Sequence, residues 1–361
     1  MTNTEIRIAT NNIKVAGAVK EQKLEVKEGT HQSGDKAGQN FSYITGKLVI
    51  KAGETKEITL KCRANQFNKN GSANKTYETL VKFMDGTYPT MATPNVTEEE
   101  ATKVSVWGNG DFAPQIEDNI FVIDGEVRES IAFKLGFGRL TVKENLNPED
   151  YRANFEVEMY VKSVEPEMKD DMPTGRTVVK GAVPMYGGTA MPISVIAEDM
   201  MDGEEVIPFA EQVQCGVYEG QTFVFWGDIR YERVEQTVKK GGTLGFAKTE
   251  TTVSTVREFV AVGGDIVDDV EKAYTPEQIQ AANVEREQKK VNAVKEWEEK
   301  REQSKQPKKT LGLNGATAPT APKPVAGAKP TMPTAPKPMA GTAPAKPVMP
   351  PKPTLTGKVG F

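Results

Sequence analysis

The sequence predicts a mainly β protein that ends in a charged helix and a low-complexity tail. Up to about residue 270, segments with alternating apolar and polar residues are separated by Gly, Asn and Pro clusters, which is typical of β-sheet proteins. Residues 271–304 carry dense opposite charges at helical spacing, and residues 305–361 consist mostly of Pro, Ala, Gly, Thr and Lys. The length suits two β domains, which we place at 1–148 and 149–270.

Charge is distributed unevenly along the chain. The net charge is −4, yet the segment from Lys305 onward has nine lysines and no acidic residue, so residues 1–304 have a net charge of −13. A body of that sign argues against a generic polyanion binder, and any nucleic-acid site therefore requires a local basic face.

The chain shows no sign of export or membrane insertion. Its two cysteines, Cys62 and Cys215, are far apart, and no segment approaches the ~18 consecutive apolar residues that a membrane span needs. We expect no disulfide framework, no membrane partner and a cytoplasmic location, which is the host cytoplasm if the protein is viral.

The segment FSYITGKLVIKAGETKEITLKCRANQF, residues 41–67, predicts a β-hairpin with two different faces. Side chains alternate between the two faces of a strand, so the apolar set faces the core. This inward set comprises Ile44, Leu48, Ile50, Ile58, Leu60, Cys62 and Ala64. The outward face collects rings and cations, namely Phe41, Tyr43, Lys47, Lys51, Lys61, Arg63 and Phe67.

The rest of the first domain predicts further strands around one short helix. NIKVAGAVKEQKLEVKE predicts a strand that directs Lys14 and Lys20 outward, SANKTYETLVKFMDG predicts the helix, and residues 87–100 predict a loop. KVSVWGNGDF, NIFVIDG and SIAFKLGFGRLTVKE predict the remaining strands.

The second domain repeats this order of elements. NFEVEMYVKSVEPE and TVVKGAVPMYGGTAMPISVIAED predict three strands, PFAEQVQCGVYEG predicts a helix, and QTFVFWGDIRYERVE and STVREFVAVGGDIV predict the last strands. Each domain also has a strand that ends in Trp-Gly, at Trp107 and Trp226, which supports an internal repeat.

Five strands with a helix between the third and the fourth is the element order of an OB-fold, a partly open Greek-key barrel. On this order and the aromatic and basic hairpin, residues 10–265 resemble OB-fold single-stranded-DNA-binding proteins, in particular those of phages. The resemblance implies two tandem OB-like five-stranded barrels. Many bacterial members end in an acidic tip that recruits partners, but this tail is basic and ends in LTGKVGF, so the resemblance does not extend to that recruitment.

The hairpin supplies the candidate nucleic-acid-binding residues. Phe41, Tyr43 and Phe67 would stack bases, and Lys47, Lys51, Lys61 and Arg63 would bind phosphates. Trp107 would extend the platform or pack half-buried, and Lys14 and Lys20 would lie at the flanks. Alternatively, the second domain or another subunit covers this face.

The corresponding face of the second domain is poor in cations. We therefore expect the second domain to orient the first, to dimerise or to contact a partner, with Tyr186, Phe223 and Trp226 mostly structural.

No catalytic or metal-binding constellation stands out. His31, the only histidine, lies in a polar loop where we expect it to be solvated, and one His with two distant Cys cannot build a zinc or haem site. Asp150, Glu156, Glu158 and Lys162 faintly resemble the carboxylates and lysine of a nuclease, but charges alternating on the outside of a strand explain them better. EDMMDGEE predicts a solvated turn. We expect no catalytic residue, no metal and no cofactor.

The segment TPEQIQAANVEREQKKVNAVKEWEEKREQSK predicts one long helix. Thr275 suits the N-cap, Pro276 the first helical position, and Gln278 completes a capping box. Sparse apolar residues favour a solvated helix docked by a narrow stripe over a coiled coil. The tail composition predicts disorder, with the lysines either contacting phosphates or maintaining solubility.

These patterns predict a non-enzymatic protein that coats single-stranded DNA, without sequence preference, in replication or recombination. Its expected partners are single-stranded DNA, replication or recombination proteins, and further copies of the chain. The main rival is a structural or scaffold protein, for instance a virion component, whose β domains use the same face for subunit packing. A nuclease is the remote third hypothesis.

Overall fold

The computed structural model describes residues 6–34, 37–110, 113–240 and 248–305, with the backbone alone at 232–240, 248–255 and 303–305. Within these residues the protein is mainly β and ends in a helix, which confirms the predicted fold class. None of the described helices is long and apolar enough to cross a membrane. The tail predicted to be disordered lies outside the described residues from 306 onward.

Strands and helices follow the predicted order. The first part of the chain contains β1 (Asn11–Thr30), β2 (Asn40–Lys51), β3 (Glu57–Asn65), α1 (Lys75–Met84), β4 (Lys103–Trp107), β5 (Gln115–Ile123), β6 (Glu126–Lys134) and β7 (Arg139–Val142). The second part contains β8 (Arg152–Lys169), β9 (Met172–Pro184), β10 (Ala190–Ala197), β11 (Met200–Asp202), β12 (Glu205–Ile207), α2 (Phe209–Gly216), β13 (Thr222–Lys240), β14 (Lys248–Ile266) and α3 (Pro276–Lys305). Both predicted short helices, and the long helix at the end, are therefore present.

The strands of the first part pair in a closed ring. The order is β1-β2-β3-β6-β5, and β5 returns to β1 where Asn12 pairs with Gln115. β3 and β6 are parallel at Leu60 and Phe133, and the other pairs in the ring are antiparallel. Because the ring closes, the apolar face of each strand points to a common interior.

The strands of the second part pair in the same way. β8-β9-β10-β14-β13 returns to β8, with β10 and β14 parallel. The two rings are joined by antiparallel pairing of β1 with β8 from Asn11–Val157 to Ala16–Arg152, and their buried residues belong to one core cluster. The division into two OB-like domains at 148/149 stays a prediction.

A bulge divides β1 into two halves that pair with different strands. Its first half pairs with β8 on one side and β4 on the other, and its second half pairs with β2. Between Val19 and Glu21 the register shifts by one residue. A bulge of this kind moves the following side chains to the opposite face, so odd-numbered residues face outward beyond Lys20.

Two local expectations are wrong, and a third is confirmed. SIAFKLGFGRLTVKE is two strands, because a turn at residues 135–138, with Gly136 at a φ of +54°, separates β6 from β7. EDMMDGEE forms the expected solvated turn, which joins the short strands β11 and β12. Glu158 is buried rather than outward, because the segment at residues 6–10 crosses it and Arg7 forms a two-pronged ion pair with its carboxylate.

Helix α3 begins with the predicted capping box. The Gln278 amide donates to Thr275 Oγ1 over 3.3 Å, and the Thr275 amide donates to Gln278 Oε1 over 3.0 Å. Its inward stripe is narrow and includes Ile279 and Ala282, which confirms the docking mode expected from the sequence. The helix contacts β5 and β6 of the first ring and β9 and β10 of the second.

Arg286 continues this stripe as a buried cation. Its guanidinium donates to Asp118 over 2.7 and 3.1 Å and to Glu129 over 2.6 Å. Burial alone would lower the pKa of Arg286, but the two carboxylates outweigh burial and raise it. The side chain of Asp118 is only 6% exposed, so Arg286 is what makes its charge tolerable inside the protein.

We predict that Arg286→Met destabilises the protein by about 3–5 kcal/mol, because it leaves the Asp118 carboxylate buried without its cation. Urea unfolding followed by circular dichroism measures this loss. Lys289→Met is the matched control, since Lys289 is exposed on the same helix and should cost little. Equal effects of the two substitutions would contradict the role given to Arg286.

Candidate nucleic-acid interface

The predicted alternation along β2 is confirmed by burial. Ile44, Leu48 and Ile50 are all 0% exposed, and on β3 so are Ile58 and Leu60. The residues between them are half-buried or exposed. The ring interior therefore fixes which side of the hairpin faces outward.

Strand register places the outward residues on one surface. Tyr43 pairs with Asn65, Thr45 with Arg63, Lys47 with Lys61, and Lys51 with Glu57. We call this surface the hairpin face; it comprises Phe41, Tyr43, Thr45, Lys47, Val49 and Lys51 of β2, Glu57, Thr59, Lys61, Arg63 and Asn65 of β3, and Phe67. At ~3.3 Å per residue, the ten steps from Phe41 to Lys51 span about 33 Å.

One end of the hairpin face is aromatic. The ring centroids of Phe41 and Tyr43 are 5.7 Å apart, and the guanidinium of Arg63 lies 4.7 Å from the Tyr43 ring centroid. The Gln66 amide donates to Ser42 O over 3.0 Å, which continues the strand pairing and brings Phe67 to this end. Phe67 is 56% exposed, so its ring is accessible.

His31 belongs to this aromatic end, contrary to the expectation of a solvated loop residue. Its ring centroid lies 4.6 Å from that of Phe41. The His31 amide donates to Gln39 O over 3.0 Å, so the connection between β1 and β2 turns back beside β2. Only the closure of this loop could have shown the contact, and the sequence gives no direct signal for it.

The other end of the hairpin face is charged. Lys51 pairs with Glu98 over 2.5 Å, and Lys61 pairs with Glu117 over 3.1 Å and with Asn119 over 2.8 Å. Burial would raise the pKa of Glu117, but hydrogen bonds and charges from Lys61 and Lys134 outweigh burial and lower it.

Strand β1 adds cations that sequence reasoning missed. Lys23 pairs opposite Lys47, and Lys27 pairs opposite Tyr43, so both lie beside the hairpin face. The bulge at Lys20 causes this, because it changes the outward set from even to odd residues. A hydrogen bond from Lys27 to Glu25 raises the pKa of the Lys27 ammonium.

Three predicted site residues lie at the margin or away from this surface. Lys20 forms an ion pair with Glu57 at the charged end. Lys14 lies on the first half of β1, which pairs with β8 instead of β2, and Trp107 ends β4 with Arg139 over its ring at 5.3 Å. The hairpin face and these last two residues are therefore separate parts of the outer surface.

Lys14 instead lines a surface depression beside the two joined rings of strands. Arg152, Asn154, Glu156 and Trp226 line the same depression, whose volume is about 630 Å³. Trp226 is 38% exposed there.

The other aromatic residues of the second part differ from one another. Phe223 stacks on Phe225 with centroids 4.7 Å apart, as expected for a packing residue. Tyr186 is 87% exposed at the turn between β9 and β10, so the expectation that it packs is wrong.

The segment at residues 87–102 runs along the β1 bulge. The amides of Met91 and Ala92 donate to the carbonyls of Val19 and Lys20, each over 3.0 Å. This segment supplies Glu98 to Lys51, and so it borders the charged end of the hairpin face.

Two of the residues whose sequence pattern faintly resembles a nuclease site form ion pairs and hydrogen bonds with other side chains. Glu158 is held by Arg7, and Lys162 donates to the Asn283 side chain over 3.4 Å. Among the described residues, no group of three or more His, Cys, Asp or Glu side chains could hold a metal ion.

Comparison with known protein families assigns the chain to one of them. The sequence profile of the YorF family matches residues 9–299, which is most of the protein. The chain belongs to the YorF family. The search of curated proteins found no match to this YorF-family chain.

The solved structures that resemble this YorF-family protein in part include two of the single-stranded DNA-binding protein from Thermus aquaticus. A deletion mutant superposes with a TM-score of 0.36 at 11% identity, covering 75% of this chain and 98% of that one. The wild-type protein superposes with a TM-score of 0.34 at 11% identity, covering 72% and 94%.

The orientation of the hairpin face can be tested by thiol chemistry. Cys62 points inward between Lys61 and Arg63, is 2% exposed, and burial raises the pKa of its thiol to about 12. In a Cys215→Ser background we predict that Cys62 does not react with a thiol reagent at pH 8 until the protein unfolds. Adding Arg63→Cys at the next position should give one rapidly reacting thiol, and fast reaction of Cys62 itself would contradict the orientation.

Proposed function

We propose that this YorF-family protein is a non-enzymatic protein that binds single-stranded DNA, with little sequence preference, through the hairpin face. The observation that carries the proposal is the joining of rings and cations on one strand pair. Phe41 and Tyr43 form a column with Arg63, Phe67 is exposed beside them, and Lys47 is exposed in the next row.

The energies of base stacking and phosphate contacts both favour binding of single-stranded DNA to this arrangement. Exposed rings contribute ~1–3 kcal/mol for each stacked base, whichever base it is. Each phosphate neutralised by Lys or Arg makes the affinity fall with salt at a log–log slope of about −0.7. Since the body of the chain is acidic, these local contacts must outweigh a repulsive background.

Within this proposal, the protein acts in DNA replication or recombination, where single strands are exposed, and it is of the phage type. Replication or recombination proteins and further copies of the chain are its candidate partners. The second ring orients the first or contacts such a partner. The predicted cytoplasmic location, in the host if the protein is viral, is part of the same proposal.

The proposal predicts that Tyr43→Ala with Phe67→Ala weakens oligo(dT) binding by about 2–6 kcal/mol, one stacked base being lost for each ring. Anisotropy of a labelled oligonucleotide at low and high salt measures the affinity. The thermal midpoint should change little, because both side chains are outside the core. Tyr186→Ala, which removes an exposed ring from the second part, is the control and should bind like the wild type.

Three results would contradict the proposal. Absence of oligo(dT) binding by the wild type at low salt would favour a scaffold protein. Unfolding of the double variant would indicate that the rings are packing residues. Metal-dependent loss of the oligonucleotide would indicate an enzyme.

A further inference from the structure

Most lysines on or beside the hairpin face are already paired with glutamates. The pairs are Lys51–Glu98 at 2.5 Å, Lys61–Glu117 at 3.1 Å, Lys27–Glu25 at 2.5 Å, Lys23–Glu21 at 2.8 Å, and Lys20–Glu57. A phosphate can approach these ammonium groups only by displacing or sharing them with a carboxylate.

Two of the pairs differ from the others because they join separate elements and are partly buried. The side chains of Lys51 and Glu98 are 22% and 30% exposed, and those of Lys61 and Glu117 are 34% and 31% exposed. Glu117 also pairs with Lys134 over 3.3 Å, so two cations hold it in place. The pairs Lys23–Glu21 and Lys27–Glu25 link neighbours on one strand at higher exposure, where ion pairs contribute little.

Lys47 and Arg63 form the contrast. Within the described part of the chain neither has a carboxylate partner, and Arg63 lies over the Tyr43 ring. Arg63 thus lies beside the aromatic side chains, whereas Lys51 and Lys61, whose carboxylate partners come from other elements, lie at the charged end.

We infer that Glu98 and Glu117 occupy the phosphate positions at Lys51 and Lys61 and so limit the affinity that phosphate contacts alone can supply there. This inference rests on the proposed function. Replacing one anion by another at a lysine yields little free energy, so phosphates alone hold weakly at that end. Most of the affinity for a nucleic acid must then come from stacking on the aromatic side chains, which requires a ligand with unpaired bases. Polyanions without accessible bases, such as duplex DNA or polyphosphate, therefore bind weakly.

The experiment compares the wild type with Glu98→Gln, Glu117→Gln and the double variant. Their affinities for oligo(dT), a duplex of equal length and inorganic polyphosphate are measured over a range of salt concentrations. Each substitution should tighten binding of all three ligands about two- to fivefold. The log–log salt slope for oligo(dT) should become steeper by ~0.7 for each lysine set free.

Two controls separate this local exchange from the general effect of removing negative charge. Glu285→Gln with Glu299→Gln makes the same charge change on exposed positions of α3 and should leave affinity nearly unchanged. Because Glu117 also pairs with Lys134, the background must remove all three lysines: with Lys51→Gln, Lys61→Gln and Lys134→Gln, the gain from the glutamate substitutions should disappear. A gain that persists in that background, or that the α3 control reproduces, would overturn the inference.

Failure of the inference and failure of the proposed function give different results. Should wild-type protein not bind oligo(dT) at low salt, the proposed function itself is wrong. Should wild-type protein bind while the glutamine variants show unchanged affinity and salt slope, only the role of Glu98 and Glu117 is wrong. The thermal midpoint of each variant identifies any loss of folding, and the single variants keep the comparison valid if the double variant unfolds.

Discussion

The structure of the candidate site depends on one constraint, the alternation of side chains along β2 and β3. Burying each of Ile44, Leu48 and Ile50 contributes ~1.5–3 kcal/mol, and a slip of one residue would exchange them for Lys47 and its outward neighbours. Gly46 helps to fix the register: its φ is +141°, and a Cβ there would lie 2.0 Å from Lys23 O. The burial that stabilises the closed ring of strands thus also holds the aromatic side chains and the cations on its outer surface.

The second ring supports this hairpin through the shared core. Phe259 of β14 packs edge-on against Phe133 of β6 and Phe155 of β8, with centroids 6.3 and 5.2 Å apart. Arg257 reaches across to donate to the Ile131 carbonyl and lies 5.0 Å from the Phe133 ring centroid. Helix α3 also contacts strands of both rings. The ring of strands that carries the hairpin face is therefore packed against both the second ring and α3.

Features with a local period could be predicted from the sequence, and features that depend on closure of the fold could not. The inward and outward sets of the hairpin, α1 and the capping box at Thr275 follow from spacing over a few residues. The bulge at Lys20 could not be predicted, since one extra residue leaves the apolar pattern of β1 readable either way. For the same reason the cations Lys23 and Lys27 were missed.

The glutamates beside the hairpin face show a second limit. Glu98 lies 47 residues from Lys51, and Glu117 lies 56 residues from Lys61, so only the packed fold brings them together. Sequence composition counts such lysines as available, whereas the structure pairs them. The separation of Lys14 and Trp107 from the hairpin has the same origin, because β1 exchanges one partner strand for another along its length.

Cross-linking tests the central claim most directly. Oligo(dT) in which some thymines are replaced by 5-iodouracil would be irradiated with the full-length protein, and the cross-linked residues identified by mass spectrometry. The account predicts cross-links at Phe41, Tyr43 and Phe67. Cross-links confined to other rings, such as Tyr186 or Trp226, would show that a strand binds elsewhere and would contradict it.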